Sequence, residues 1–123
     1  MKQILAVDDN SINLRVIKDM LQDEYKVIPT LSGRVALQFL EKHKPDLILL
    51  DVMMPEMDGI AAYKEIRKTD NGKEAPIIFL SASEDTDIIQ ACMEQGAAGY
   101  IVKPFKTQDI NKKIKSIFEK KEI

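Results

Sequence analysis

The chain has 123 residues, enough for one domain with its own core and too few for a comfortable second. Eighteen Lys and Arg against twenty Asp and Glu leave a formal charge of −2, a balance that advertises neither nucleic acid nor an acidic membrane as a partner. The lone cysteine, Cys92, excludes an internal disulfide, and apolar runs no longer than Leu47-Ile48-Leu49-Leu50 exclude a bilayer-spanning helix.

From the N-terminus, Ile4 to Val7 reads as a buried strand that runs into Asp8 and Asp9. That opening leads into a site rather than serving as a signal peptide, so a cytoplasmic location is expected. From Ser11 the spacing turns helical, with Leu14, Ile17 and Leu21 on one face and Asn10 or Ser11 as the cap. Tyr25 to Ile28 is a weaker strand, and Pro29 near its end suits a sheet edge because it cannot donate to a ladder. A helix beginning at Ser32 turns Ala36, Phe39 and Leu40 inwards and ends near His43, which reads as a surface residue. Asp46 to Leu50 is almost wholly apolar, as a central parallel strand covered on both faces must be.

After the loop from Asp51 to Gly59, a helix carries Ile60, Tyr63 and Ile66. A polar connector, Thr69 to Glu74, precedes the strand from Pro76 to Leu80. A helix from about Glu84 to Gln95 pairs Ile88 with Cys92 and Ile89 with Met93, and Gly96 stands where a helix end wants a positive φ. Gly99 to Val102 is the fifth strand. A last helix points Ile110, Ile114, Ile117 and Phe118 inwards and lysines outwards. Residues 1–123 form one domain, with 1–119 as core and 120–123 as a tail or the start of a linker. Strict alternation of strands and helices implies an α/β fold, a doubly wound parallel sheet with right-handed crossovers. A closed eight-unit barrel needs about twice this length.

The polar residues that interrupt the apolar segments stand at strand ends. Asp8 and Asp9 follow the first strand, Asp51 ends the third, Ser81 ends the fourth and Lys103 follows the fifth. In an open α/β sheet those ends meet in one crevice. Carboxylates about 5 Å apart repel by roughly 3 kcal/mol a pair at an effective dielectric of about 20, so a cation must join them or some must protonate. Hard oxygen ligands suit Mg²⁺ better than zinc. A carboxylate nucleophile, a Mg²⁺, a lysine and a hydroxyl together make a phosphoryl-transfer site.

Five segments then resemble, in order and spacing, the response-regulator receiver domain of two-component signalling. They are Val7-Asp8-Asp9-Asn10, Leu50 to Pro55 with Asp58-Gly59, Leu80-Ser81-Ala82, Gly96-Ala97 through Tyr100, and Lys103-Pro104-Phe105. The resemblance implies a single five-stranded sheet of order 2-1-3-4-5 with five helices. It makes Asp51 the phosphoacceptor, and it makes Asp8, Asp9, Asp51 and the Met53 backbone carbonyl the Mg²⁺ ligands. Lys103, Ser81 and Ala82 contact the phosphate, the Lys103–Pro104 bond is cis, and Ser81 with Tyr100 forms the switch to the face of helix four, strand five and helix five. It implies a regulatory domain rather than an enzyme. The donor is a sensor histidine kinase or histidine phosphotransfer protein, and the recipient of the signal is an output domain or target protein. No direct contact with nucleic acid or membrane is implied, and a homodimer on phosphorylation stays open. Ser81 stands where threonine is commoner, and Met53 and Ser83 occupy positions that tune phosphate lifetime in the family.

Each residue also has a plainer reading. Asp8 and Asp9 could be acidic residues at a helix N-terminus, Lys103 a solvated turn lysine, and Tyr100 a half-buried core aromatic. Ser81 could be a cap for the helix that follows, although Ser83 is better placed for that. Met53, Met54 and Met57 read as packing, and Cys92 as a small core hydrophobe. The lysines from Lys106 to Lys121 make a mildly basic face, solvated or available to an acidic partner. Among rival functions, a haloacid-dehalogenase-like enzyme would carry a second aspartate where Met53 stands. A flavodoxin-like protein would not set Asp8 and Asp9 against a flavin phosphate. A receiver that has lost phosphorylation would lack the acceptor residues found here.

Overall fold

In the computed structural model, which describes residues 1–122, strands and helices alternate throughout. The elements are β1 (Lys2–Val7), α1 (Ser11–Leu21), β2 (Tyr25–Thr30), α2 (Gly33–Leu40) and β3 (Leu47–Asp51), then α3 (Gly59–Arg67), β4 (Ile77–Ser81), α4 (Thr86–Glu94), β5 (Gly99–Val102) and α5 (Thr107–Glu122). The strands form one five-stranded sheet in the order β2-β1-β3-β4-β5, and every neighbouring pair is parallel. This is the doubly wound architecture and the strand order expected from the sequence.

The uninterrupted apolar strands are explained by burial on both faces. Successive residues alternate between two cores: Leu5, Val7, Ile48, Leu50, Ile77 and Phe79 pack under α2, α3 and α4. Their neighbours Ile4, Ala6, Leu47, Leu49, Ile78 and Leu80 pack under α1 and α5. Helical spacing supplies the covering side chains, Leu14, Ile17 and Leu21 from α1 with Ile110, Ile114 and Phe118 from α5. Cys92 is buried in the other core and its thiol is pushed up by burial and by Asp58, so it acts as a small hydrophobe. Pro29 lies on the edge strand β2, as expected.

Caps decide where the helices start. Asn10, rather than Ser11, caps α1, its side chain accepting from the backbone N–H groups of Ile12 and Asn13. Ser32 caps α2, accepting from Val35 N–H. The α4 cap is Asp85, which accepts from Asp87 N–H at 2.8 Å, so neither Ser81 nor Ser83 caps that helix. Ser83 instead accepts from Asp85 N–H, closing a turn that delays the helix to Thr86. Gly96 adopts φ +98°, the left-handed conformation its position called for. Helix α5 continues to Glu122, through most of the stretch read as a tail; Ile123 lies outside the described residues.

Gly59 ties α3 to the end of β3. Its N–H donates to the Val52 carbonyl at 2.8 Å, and a Cβ at this position would stand 2.4 Å from the Asp51 carbonyl oxygen and 2.7 Å from Val52 Cα. Both obstacles are backbone and cannot rotate away. Gly59→Ala is therefore expected to lower stability by roughly 1–3 kcal/mol, read from the midpoint of urea unfolding; an unchanged midpoint would show that the β3–α3 turn yields freely.

Candidate functional site

Among the described residues the buried polar and charged side chains are Asp8, Thr30, Asp51 and Ser81. They follow or end β1, β2, β3 and β4 in turn, all at the carboxyl edge of the sheet. A parallel sheet aligns those ends, and burial demands partners. Thr30 is satisfied structurally, donating to the Ala6 carbonyl at 2.9 Å. The other three face a cleft of about 580 Å³ also lined by Asp9, Met53, Ala82 and Lys103.

Asp8 is held from both sides. Its Oδ1 accepts from Asn10 N–H at 2.9 Å, and its Oδ2 accepts from the Lys103 ammonium at 2.8 Å. Lys103 also lies 3.5 Å from Asp51 Oδ1, so it is no solvated turn lysine. Asp8, 1% exposed, is no surface residue of a helix N-terminus. The Lys103–Pro104 peptide bond is cis. Asp9 is exposed, yet carboxylate oxygens of Asp8, Asp9 and Asp51 all lie within 4.8 Å of one another. Lys103 pairs with two of the three carboxylates, Asp8 and Asp51, leaving excess negative charge on hard oxygen donors, which is the chemistry of a divalent-cation site for Mg²⁺-like ions.

The electrostatics concentrate on Asp51. Burial, and next the neighbouring charge of Asp8, push its carboxyl up to about 6, while Lys103 and the Met53 N–H pull the other way. Met53 N–H approaches Asp51 Oδ1 at 3.4 Å. Of the methionines near the site, Met54 is buried and Met57 packs on the core, but Met53 is 66% exposed at the cleft mouth rather than serving as packing.

On the far side, Ser81 is fully buried, its Oγ accepting from Ser83 N–H at 3.1 Å. Tyr100 is half-buried against the core, and its hydroxyl donates to the Ser83 carbonyl at 2.9 Å. Ala82, the residue after Ser81, is exposed. His43 is exposed and stacks on Phe39, remote from the cleft lining.

Two features escaped sequence reasoning. Glu56 adopts φ +66° in the β3–α3 loop, a conformation for which a glutamate gives no local signal. Beside Lys103 an apolar groove of about 300 Å³ runs between Val16, Ile17 and Met20 of α1 and Pro104 and Phe105 after β5. Its two walls are far apart in the chain, so no local pattern announces it.

The family described as response regulator receiver domain matches residues 4–115 of the chain. The chain is 37% identical over 123 residues to the alkaline phosphatase synthesis transcriptional regulatory protein PhoP of Bacillus subtilis, covering 99% of this chain and 50% of that protein. It is 34% identical over 111 residues to the transcriptional regulatory protein PdtaR of Mycobacterium tuberculosis, covering 89% and 53%. The chain thus spans about half the length of these curated relatives. Among solved structures it is similar to chemotaxis protein CheY4 of Vibrio cholerae, with TM-score 0.89, 33% identity and coverage of 94% and 98%. It is also similar to the receiver domain of sensor histidine kinase PA1611 of Pseudomonas aeruginosa, which holds a magnesium ion in its active-site cleft, with TM-score 0.82, 36% identity and coverage of 90% and 92%. Parallel strands that deliver two buried aspartates, a lysine and a hydroxyl to one cleft, together with these matches, establish that the chain belongs to the response regulator receiver domain family, the phosphoacceptor signalling domains of two-component systems.

Proposed function

We propose that Asp51 is the phosphoacceptor of this chain, taking its phosphoryl group from a sensor histidine kinase or histidine phosphotransfer protein. The observation that carries the reading is the meeting of Asp51 Oδ1, Asp8 Oδ2 and the Lys103 ammonium within 3.5 Å contacts, from strands at both the middle and the edge of the sheet. An Asp51 oxygen attacks phosphorus, the bond from phosphorus to the donor nitrogen breaks, and the departing imidazole keeps that electron pair and takes a proton. Asp8, Asp9, Asp51 and the Met53 carbonyl would hold Mg²⁺. Bound there, the ion neutralises the phosphoryl oxygens and the crowded carboxylates. Lys103 pairs with one phosphoryl oxygen, and Ser81 and the Ala82 backbone hydrogen-bond to others.

The output would run through Ser83. Ser81 and Tyr100 each bond to this one residue, at its N–H and its carbonyl. Moving Ser81 towards a phosphoryl group therefore disturbs the partner of Tyr100, and with it the face formed by α4, β5 and α5. This domain promotes only its own phosphorylation and dephosphorylation, works in the cytoplasm with residues 1–119 as its core, and acts on an output domain or target protein. Pairing of that face with a second copy on phosphorylation is the further option, favoured by the acids of α4 and the lysines of α5.

Incubation with acetyl phosphate and Mg²⁺ is expected to add one phosphoryl group by intact mass, and Asp51→Asn to add none; equal labelling of that variant would refute the assignment. Lys103→Ala is expected to keep Mg²⁺ binding and lose the response of Tyr100, followed by its ring resonances on addition of phosphodonor. The raised Asp51 carboxyl also sets a stability test. Its value of about 6 lies above the ordinary 3.8, so the ionised form opposes folding; the cost is absent below about pH 3 and complete above about pH 7. At about 1.4 kcal/mol for each tenfold change in proton affinity, metal-free Asp51→Asn should gain about 3 kcal/mol at pH 8 and well under 1 kcal/mol at pH 4. Urea unfolding at the two pH values measures it, and an equal gain at both would remove ionisation as the cause.

A further inference from the structure

Asn71 is followed by Gly72, and among the four asparagines of the chain it alone precedes a glycine. A glycine nitrogen, with no Cβ beside it, reaches the preceding side-chain amide with the least hindrance, so this dipeptide is the chain's weakest point towards deamidation. The pair lies in the connector between α3 and β4, and the fold uses both residues. A Cβ on Gly72 would stand 2.6 Å from the Ile66 carbonyl oxygen, so no larger residue fits. The Asn71 amide donates to the Leu40 carbonyl at 2.8 Å, satisfying an acceptor that the end of α2 leaves open. The same contacts guard the reaction that the dipeptide makes possible. Gly72 N–H donates to Thr69 Oγ1 at 2.9 Å, which ties down the attacking nitrogen, while Leu40 ties down the amide under attack. Arg67 closes the turn, its Nη1 donating to the carbonyls of Gly72 at 2.8 Å and Ala75 at 2.6 Å.

We propose that Asn71 is a deamidation site of this domain, closed in the folded connector and opened by local release of Gly72 from Thr69. In the open connector the Gly72 nitrogen gives up its proton and bonds to Asn71 Cγ. The Cγ–Nδ2 bond breaks, ammonia leaves with a proton, and a succinimide ring remains. Water then adds to either ring carbonyl and yields aspartate or isoaspartate, so one water enters and one ammonia departs. The product cannot reclose as before. A carboxylate has no N–H for the Leu40 carbonyl, and two acceptors then face each other where a donor met an acceptor. Isoaspartate also lengthens the backbone. Deamidation is therefore a one-way latch that detaches the connector from α2 and shortens the working life of the domain. Asn71 is no part of the cleft lining, so the latch depends on neither the metal nor the phosphoryl group.

The test is timed incubation of the full chain at mildly alkaline pH, in buffer and in unfolding urea, with peptide mapping by mass to locate each amide converted to acid. In urea Asn71 is expected to convert ahead of Asn10, Asn13 and Asn111, and in buffer its rate is expected to fall at least about tenfold. Thr69→Val removes the acceptor of Gly72 N–H. It is expected to speed conversion in the folded chain at least about fivefold, the worth of one hydrogen bond, and Thr69→Ser to keep the slow rate. Gly59→Ala, destabilised at a different turn, should convert at the wild-type rate because the opening is local. Asn71→Asp is expected to unfold at a lower urea concentration than wild type. Equal wild-type rates in buffer and urea overturn the proposal, and that comparison stands even where Thr69→Val does not fold. An unchanged rate in folded Thr69→Val overturns the gate. Conversion of another asparagine ahead of Asn71 overturns the site. Gly59→Ala matching the acceleration of Thr69→Val replaces local gating with global unfolding, and an unchanged midpoint in Asn71→Asp removes the latch.

Discussion

Two aspartates lie buried at the carboxyl ends of interior strands, close enough to repel, and the chain holds them there with an ammonium delivered from an edge strand. Lys103 follows β5, the edge strand, whereas Asp8 follows β1, with β3 and β4 between them. The pair is separated by 95 positions in sequence and by 2.8 Å in space. It forms only when β1, β3, β4 and β5 have assembled side by side. The chemistry of the cleft is thereby tied to the integrity of the fold, and the charges are prevented from scattering into solvent by the apolar strands that carry them.

The sheet divides the labour of its covering helices. α1 and α5 close one face, α2, α3 and α4 the other, and the turns between strands and helices are left to form the site. Backbone contacts make those turns rigid where the cleft needs them rigid: Gly59 lies so close to the end of β3 that no side chain fits, and the backbone N–H of Asn10 fixes one oxygen of Asp8. The opposite wall is built on side-chain hydrogen bonds to one residue, Ser83, shared by Ser81 and Tyr100. Hydrogen bonds of this kind contribute about 1 kcal/mol each, small enough to be exchanged when a new partner enters the cleft. A stiff floor beside an exchangeable wall is the arrangement a switch requires.

Most of the architecture was legible because each element carried a redundant signal. Strands covered on both faces must be apolar at every position, and Leu47 to Leu50 or Ile77 to Leu80 have no other economical explanation. Helix starts were less legible, because several residues could serve as the cap. Ser83 has the chemistry to cap α4, but it lies two residues early and Asp85 takes the role. Met53 was read as packing with its neighbours, yet it points to the cleft mouth; nothing local separates it from buried Met54.

By itself the sequence determined the strand and helix order, the residues that end the strands and hence the identity of the cleft, since periodicity and punctuation are local properties of a chain. Only the tertiary structure decided which charged groups meet and how deeply they are buried. The upward displacement of Asp51 depends on the depth of its burial and on its separation from Asp8, and the partner of Lys103 depends on the sheet order that sets β3 and β4 between β5 and β1. Those are distances between segments remote in sequence. Electrostatic energy varies with such distances and with local exclusion of water, and neither is written into the order of residues until the sheet brings its ends together.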